Sequence, residues 1–337
     1  MIRLHVPGFS ASDFRNYPAR DMRQGDATII DDGKNYEVID GYCDKGTDHL
    51  ISALKARDIK SPYLHISHAH YDHWYGIRKI IRDDWFTPKR LYCYDPASLG
   101  EVSASVETEK ASLRGVIKEA KEKGIPVTYL KDGDKITHGD IKIVVYREQP
   151  TKYNGNSDAY INDGSLVYWF PELSYLTSGD GPQEVGSLCE RKGIKPKFFK
   201  IPHHGNNCPR KQATKMKEQG ALYCWDNDYS TVLTDFLDTG REDCLAVKIK
   251  YLNCHGDLNA LFFGRRAVIY KGNEIFRYSC SYTGKANLKS ADLAIVKAVI
   301  NGKAGAGDAR TSYLLNKGYN AGAVQKEVNA IIKAIKG

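Results

Sequence analysis

Through roughly the first 280 residues, short apolar runs of strand length alternate with longer stretches of helical periodicity. Ala27–Ile30 and Tyr36–Asp40 read as strands joined by the polar turn Asp31-Asp-Gly-Lys-Asn35. The spacing of Leu50, Leu54 and their neighbours predicts a helix over Thr47–Ile59, and the apolar run Pro62–Ser67 predicts a strand that ends in a histidine-rich segment. Further helices are predicted at Val106–Lys123, Gln183–Lys192 and Arg210–Glu218. Further strands are predicted at Val127–Leu130, Ile141–Tyr146, Leu166–Phe170, Leu173–Leu176, Phe198–Ile201, Ala221–Trp225, Ala267–Tyr270 and Ile275–Tyr278. Many short strands with interspersed helices predict an α/β fold whose sheets are covered by helices on their outer faces. The polar stretch 151–164 reads as a loop near a functional rim.

After about residue 284 the texture changes to Ala, Lys and Gly, and strand signal fades. Ser290 is placed to cap a helix running to Ile300, and Thr311–Lys317 stops at Gly318. Val324, Val328, Ile331, Ile332 and Ile335 form one helical stripe. The expected organisation is a domain over 1–283 followed by a small three-helix bundle over 284–337.

Composition agrees with a folded chain. Of 337 residues, 42% are hydrophobic and 27% charged, enough apolar surface for a core. The formal charge of +8 belongs mostly to the tail, where nine basic residues from Lys285 onward face three acidic ones. Such a tail suits anionic wall polymers, nucleic acid or membrane surfaces, and a solvated helix face explains it equally well. No apolar run reaches the roughly 18–20 residues of a membrane span, so no membrane insertion is expected. The first residues lack the apolar core of a secretory signal, which reads as cytoplasmic. The eight cysteines are scattered without a CxxC pair and read as reduced thiols.

The chemistry concentrates in Ser67-His68-Ala69-His70-Tyr71-Asp72-His73, directly after an apolar strand. Three imidazoles and a carboxylate suit borderline-soft divalent metals such as zinc. The i, i+2 spacing lets His68 and His70 reach one ion from an extended loop, while Asp72 and His73 turn towards a second. Asp180, in Thr177-Ser-Gly-Asp180, follows another strand and could bridge two metals, although alone such a segment is an ordinary turn. Lys200-Ile-Pro-His203-His204-Gly205 again places histidine at a strand exit. His5, His49, His65 and His138 are isolated and read as surface or core residues, and His255 lies in a late loop that could reach the pocket. The 22 tyrosines could stack bases or sugars, or simply pack.

Taken in order, HxHxDH, a strand-end Gly-Asp and a later HHG resemble the metallo-β-lactamase superfamily. The chain resembles more narrowly the hydrolase-like domain of DNA-internalisation competence proteins. That resemblance covers roughly residues 20–225 and rests on Arg23-Gln24-Gly25-Asp26-Ala27, Ile39-Asp40-Gly41, the segment Leu54–His73, Gly124-Ile-Pro-Val127, Leu130-Lys-Asp-Gly-Asp134 and Asn162-Asp163-Gly-Ser165-Leu166. It implies a four-layer αββα sandwich with a metal site at the sheet edges. It implies that His68 and His70 hold one metal, that Asp72, His73 and His204 hold another, and that Asp180 bridges them. His203 would then act behind the ligands or as a proton donor, and which of the two adjacent histidines binds metal stays open. Many members place another histidine shortly before the Gly-Asp strand; here the stretch reads Tyr160-Ile-Asn162-Asp163, so the first site is incomplete and an oxygen ligand or water could finish it.

The tail segments Ala291-Asp-Leu-Ala-Ile-Val296, Gly302–Arg310 and Gly318–Asn329 resemble the cell-wall-binding repeat of certain lysins, which usually has Trp where Ala304 stands. Together the resemblances imply two divalent ions, zinc first and manganese second, and a metal-activated water attacking a phosphodiester, with Asp72, His203 and Asn162 as catalytic candidates. The substrate would be nucleic acid or a wall polymer such as teichoic acid. A lactamase or lactonase, and a non-catalytic wall-binding protein with a vestigial site, are the alternatives. A working wall repeat would place the protein at the cell wall, against the cytoplasmic reading of its first residues.

Overall fold

The computed structural model describes residues 1–8, 25–150, 153–205, 208–226, 239–253, 257–271, 274–285 and 292–336. Arg23, Gln24, His255 and the expected Ser290 cap lie outside the described residues. In chain order the strands are β1 (Ile2–Val6), β2 (Thr28–Asp31), β3 (Tyr36–Ile39), β4 (Tyr63–His65), β5 (Arg90–Cys93), β6 (Val127–Tyr129), β7 (Lys135–His138), β8 (Ile141–Tyr146), β9 (Val167–Phe170), β10 (Tyr175–Thr177), β11 (Phe198–Lys200), β12 (Tyr223–Asp226), β13 (Lys250–Asn253), β14 (Leu258–Phe263), β15 (Arg266–Lys271) and β16 (Glu274–Ser279). The α-helices are α1 (Asp44–Ala56), α2 (Tyr71–Arg82), α3 (Ala104–Glu122), α4 (Ser157–Asp163), α5 (Val185–Lys192), α6 (Arg210–Glu218), α7 (Thr239–Ala246), α8 (Leu293–Ile300), α9 (Gly307–Asn316) and α10 (Ala321–Lys336).

Among the described residues the strands form two sheets, ordered β16-β15-β14-β1-β2-β3-β4-β5-β6 and β13-β12-β11-β10-β9-β8-β7. Pairing is parallel from β3 to β6 and from β10 to β13, and antiparallel elsewhere. Strand periodicity explains how the second sheet is buried on both faces. On β9, Tyr168 and Phe170 join the core between the sheets, whereas Val167 and Trp169 face the opposite cluster with Val185, Leu188 and Met216 of α5 and α6. Tyr175 and Leu176 on β10, and Phe198 and Phe199 on β11, divide in the same way. Helices α1, α2 and α3 contribute Leu50, Ile77, Ile80 and Leu113 to the larger core. The layers are therefore helix, sheet, sheet, helix, the expected αββα sandwich.

Several elements depart from the sequence reading. The histidine segment is not loop throughout: Tyr71, Asp72 and His73 open α2. Its stripe of Trp74, Ile77, Ile80 and Ile81 was overshadowed by the polar residues that begin it. The polar stretch 151–164 contains the short helix α4, capped by the Asn156 side chain accepting from the Ala159 amide at 3.0 Å. Strands β1, β5, β7, β13 and β14 were also not anticipated, since each is a four- to six-residue run whose burial comes from neighbours distant in sequence.

Close backbone approach docks α2 on the β3–α1 connection. A Cβ on Gly76 would stand 1.8 Å from the Gly41 carbonyl oxygen, so only glycine fits there. The Gly76 amide donates to Tyr42 O at 3.1 Å, and the Tyr42 hydroxyl to Pro7 O at 2.6 Å.

The last three helices bury Ile295, Val296, Val299, Ala304, Leu314, Val324 and Val328 in a third apolar cluster. Asp292 caps α8, its side chain accepting from the Ile295 amide at 2.9 Å.

A buried polar link spans the two sheets. Glu37 of β3 accepts from His65 Nε2 on β4 at 2.8 Å and from His138 Nδ1 on β7 at 2.7 Å. His138 also stacks on Tyr63, ring centroids 3.5 Å apart. Burial pushes the Glu37 carboxyl up, but the His138 and His65 hydrogen bonds outweigh it and hold it below the usual range. Its contribution to stability is then fully present above the ordinary glutamate value of about 4.3 and is lost as pH falls through the lower folded value. Glu37→Ala is expected to cost about 3 kcal/mol at pH 7, because two buried imidazoles lose their acceptor. Urea midpoints measured from pH 7 down to pH 3 check this: the wild type should lose more stability than the variant over that interval.

Candidate metal centre

The functional candidates meet at one edge of the sandwich because both parallel strand sets end there. His68 and His70 follow the end of β4, and Asp72 and His73 occupy the first turn of α2. Asp180 follows β10, and His203 and His204 follow β11. Across the edge, the Leu166 amide donates to Ser67 O at 2.9 Å, tying the second sheet's entry strand to the histidine segment. His203 and His204 both hold left-handed backbone, at φ 53° and 50°. For non-glycine residues that costs on the order of 1–3 kcal/mol each and persists where surrounding structure enforces it.

Two donor groups share Asp180. One comprises His68, His70 and Asp180; the other comprises Asp72, His73, Asp180 and His204; within each, the donor atoms lie within 4.8 Å of one another. His73 Nε2 is 3.1 Å from Asp180 Oδ1 and 3.8 Å from Asp72 Oδ2. His204 Nε2 is 3.1 Å from Asp72 Oδ2 and 3.4 Å from Asp180 Oδ1. On the other side, His68 Nε2 lies 3.7 Å from Asp180 Oδ2 and 3.0 Å from His70 Nδ1. Ligands about 2.0–2.2 Å from one ion stand roughly 3–4 Å apart, so this spacing suits divalent cations. Of the adjacent histidines, His204 enters the cluster; His203 is 38% exposed and reaches only within 3.8 Å of Asp180 Oδ2.

A second layer aims the imidazoles. Asp40 accepts from the Ser67 amide at 2.8 Å and the Ser67 hydroxyl at 2.7 Å, and from His73 Nδ1 at 2.9 Å. Ser67 Oγ contacts His68 Nδ1 at 2.9 Å, and Asp26 Oδ1 lies 3.5 Å from His204 Nδ1. Each of these partners engages Nδ1 and leaves Nε2 facing the shared carboxylate, the arrangement that metal-binding histidines require. Lys200, fully buried, pairs with Asp26 and donates to Gly179 O at 2.7 Å.

The electrostatics ask for cations. Burial opposes charge on His73 and His204, yet Asp180 with Asp72 and Asp40, or with Asp26, outweighs it and raises both well above an ordinary histidine. Burial also opposes charge on Asp180, but His204 and His73 hold it well below the usual carboxylate range. Burial and the neighbouring His73 push His68 down. The buried Nε2 atoms of His70 and His73 and the Oδ1 of Asn162 have no hydrogen-bond partner among the described residues. Two buried sets of imidazole and carboxylate donors converging on Asp180 are the chemistry of a divalent cation site, so the residues present fit metal.

Asn162, buried on α4, is held close to the Asp180 turn: a Cβ on Gly181 would stand 1.7 Å from the Asn162 carbonyl oxygen. Asp26, Asp40, Ser67 and Lys200 received no role from the sequence. Their signal was positional, since Asp26 and Asp40 border the strands leading into the site and Lys200 precedes the histidine pair. His5 and His65 are core residues, and His138 is nearly buried. The seven described cysteines are free and buried.

The architecture is the metallo-β-lactamase fold. It is similar to that of the metallo-β-lactamase fold protein YhfI from Bacillus subtilis, at 12% identity, covering 77% of this chain and 98% of that one, with a TM-score of 0.50. Two more distant likenesses are Igni18, a metallo hydrolase from the archaeon Ignicoccus hospitalis (12% identity, 77% and 99% coverage, TM-score 0.45), and a diphosphatase from the PhnP family (13%, 78% and 98%, 0.41). Residues 293–332 match the family model described as the CW_7 repeat, so the chain joins a metallo-β-lactamase fold to a segment similar to that repeat. No curated protein matches the chain by sequence. No helix of the described residues is long and apolar enough to cross a membrane.

Asp40→Asn is expected to put an amide N–H against His73 Nδ1 and reverse the tautomer, removing the Nε2 lone pair from the cluster. Competition against a chromophoric chelator should show metal affinity falling roughly 10–100-fold.

Proposed function

We propose that the chain is a metal-dependent hydrolase that cleaves phosphodiesters, with two divalent ions, zinc or manganese, held by His68, His70 and Asp180 on one side and by Asp72, His73, Asp180 and His204 on the other. The observation that carries the reading is the buried pair of donor groups sharing one carboxylate. Cations held there would lower the pKa of water towards neutrality and stabilise charge on the attacked group.

The chain's own groups have separable tasks. Asp72 stays ionised, because His73 and His204 outweigh the effect of burial on its carboxyl, so it would orient the attacking water. His203, 38% exposed and within 3.8 Å of Asp180 Oδ2, would hand a proton to the leaving oxygen. Asn162, whose buried amide oxygen has no hydrogen-bond partner among the described residues, would contribute that oxygen. The phosphodiester part of the reading is supported by the ordered motifs Asp26, Asp40, Asn162-Asp163 and HxHxDH, and by the suitability of a bridged cation pair for an in-line displacement between two oxygens.

Residues 1–283 would form the hydrolase domain and 284–337 the wall-binding domain, which would bring the enzyme to peptidoglycan and favour a wall phosphodiester over nucleic acid. The third apolar cluster, drawn from α8, α9 and α10, supports that division.

The test is to measure bound metal in purified protein, then turnover of bis(p-nitrophenyl) phosphate with Zn²⁺ or Mn²⁺. Asp72→Ala should lower the rate by roughly 10²-fold or more. Metal without turnover on this ester would move lactams and lactones to the front. Neither metal nor turnover would leave a wall-binding protein on an enzyme fold.

A further inference from the structure

The outer face of the larger sheet carries a second concentration of charge. Side chains alternate along a strand. On β1, Ile2, Leu4 and Val6 enter the core, so Arg3 and His5 turn away from it. Leu258, Ala260 and Phe262 of β14 also enter the core, which turns Asn259 and Leu261 outward. The register then sets Arg3 between Asp31 of β2 and Leu261, and His5 beside Asn259, whose other neighbour is Tyr270 of β15. This face is far from the metal centre: Asp31 pairs with Tyr36, the first residue of β3, whereas Asp40 and the donor groups lie beyond the strand's other end.

The cover over this face is incomplete. Arg57, which ends α1, and the turn from Leu315 to Gly318, which follows α9, stand on its walls and leave a cavity of about 450 Å³, the size of a small-molecule site. Helix α9 packs on β16, and Gly318, with φ 75°, turns the chain back there. The charge inside is lopsided. Arg57 and Arg3 both pair with Asp31, so one carboxylate, 1% exposed, answers two guanidiniums that keep 26% and 46% of their side chains exposed. Lys317 adds a third cation on the wall and meets no carboxylate among the described residues. The other acid on the wall, Asp257, is 57% exposed and lies 3.9 Å from His5 Nε2. Burial pushes the Tyr270 hydroxyl up to about 12 in spite of Arg57 and Arg3 nearby, so it stays protonated and can donate. Three cations from a strand, a helix end and a turn suit an anion with several oxygens, and the guanidinium fork matches phosphate.

We propose that this cavity binds the phosphate group of a small phosphorylated molecule, with Arg3, Arg57 and Lys317 as its cationic contacts. The space exceeds what phosphate alone fills, and Leu261, Tyr270 and Leu315 supply apolar wall for the rest of the molecule. Arg3 and Arg57 belong to the metallo-β-lactamase fold and Lys317 to the segment similar to the CW_7 repeat, so a bound ligand ties the two together. The site is independent of the metal centre and of the reaction proposed for it.

The experiment uses the full chain in excess chelator, so that no metal ion holds the probe. Glycerol 3-phosphate, inorganic phosphate and acetate are titrated calorimetrically into the wild type, Arg3→Gln, Arg3→Lys and Lys317→Ala. The wild type is expected to bind one glycerol 3-phosphate per chain, and acetate at least about tenfold more weakly. Arg3→Gln and Lys317→Ala should each bind the phosphate ester about tenfold more weakly, and Arg3→Lys, which keeps the charge, should recover part of the loss. Without ligand all four should melt close together, because both substituted side chains are exposed, so a lost affinity is not lost folding. No binding of either phosphate by the wild type would overturn the proposal, as would acetate binding as tightly. Wild-type affinity in Arg3→Gln or in Lys317→Ala would place the phosphate elsewhere, protonated His73 and His204 included, and would overturn it too.

Discussion

The interaction on which the structure turns is the burial of several carboxylates at one sheet edge. Asp26, Asp40 and Asp180 are buried there, and Asp72 lies at their rim. Like charges this close in a low-dielectric site repel strongly unless cations intervene. Lys200 answers Asp26, and the remaining demand falls on His73 and His204, which is why both hold protons far more tightly than a free imidazole. A divalent ion satisfies the same demand with more charge in less space. The fold can be understood as the scaffold that keeps this arrangement from relaxing.

That scaffold works through rigid elements rather than through the site itself. Asp40, His68, His70, Asp180, His203 and His204 follow the ends of β3, β4, β10 and β11, whose side chains are clamped between the helical layers. Burial of Tyr168, Phe170, Tyr175 and Phe198 on one face, and of Trp169, Leu176 and Phe199 on the other, fixes the strand ends relative to one another. Strain can then be tolerated locally. Asp40, His203 and His204 all adopt left-handed backbone, and each contributes a side chain to the edge. A less rigid support would let these residues relax and lose the aim of their Nε2 and carboxylate atoms.

The tail obeys a different logic. Its helices bury a small cluster of their own, and residues 293–332 match the CW_7 repeat. Ala304 is buried inside that cluster, so the position where the lysin repeats carry Trp serves packing in this chain.

Sequence alone determined the alternation of strands and helices, the α/β class, the change of texture near residue 284 and the dense ligand segment His68–His73, because hydrophobic period and local spacing are properties of contiguous residues. It also marked Asp180 and the His203-His204 pair as donors at strand exits. Tertiary structure alone decided that His204 rather than His203 enters the cluster, since that choice depends on where two consecutive left-handed residues send their side chains. It alone placed Asp26 and Asp40 behind His204 and His73, and Lys200 against Asp26, for partners separated by many residues meet only when the two sheets pack. It alone brought Asp158 opposite His70, because a polar stretch that reads as loop becomes a helix whose face is set by packing against Leu99 and Gly181.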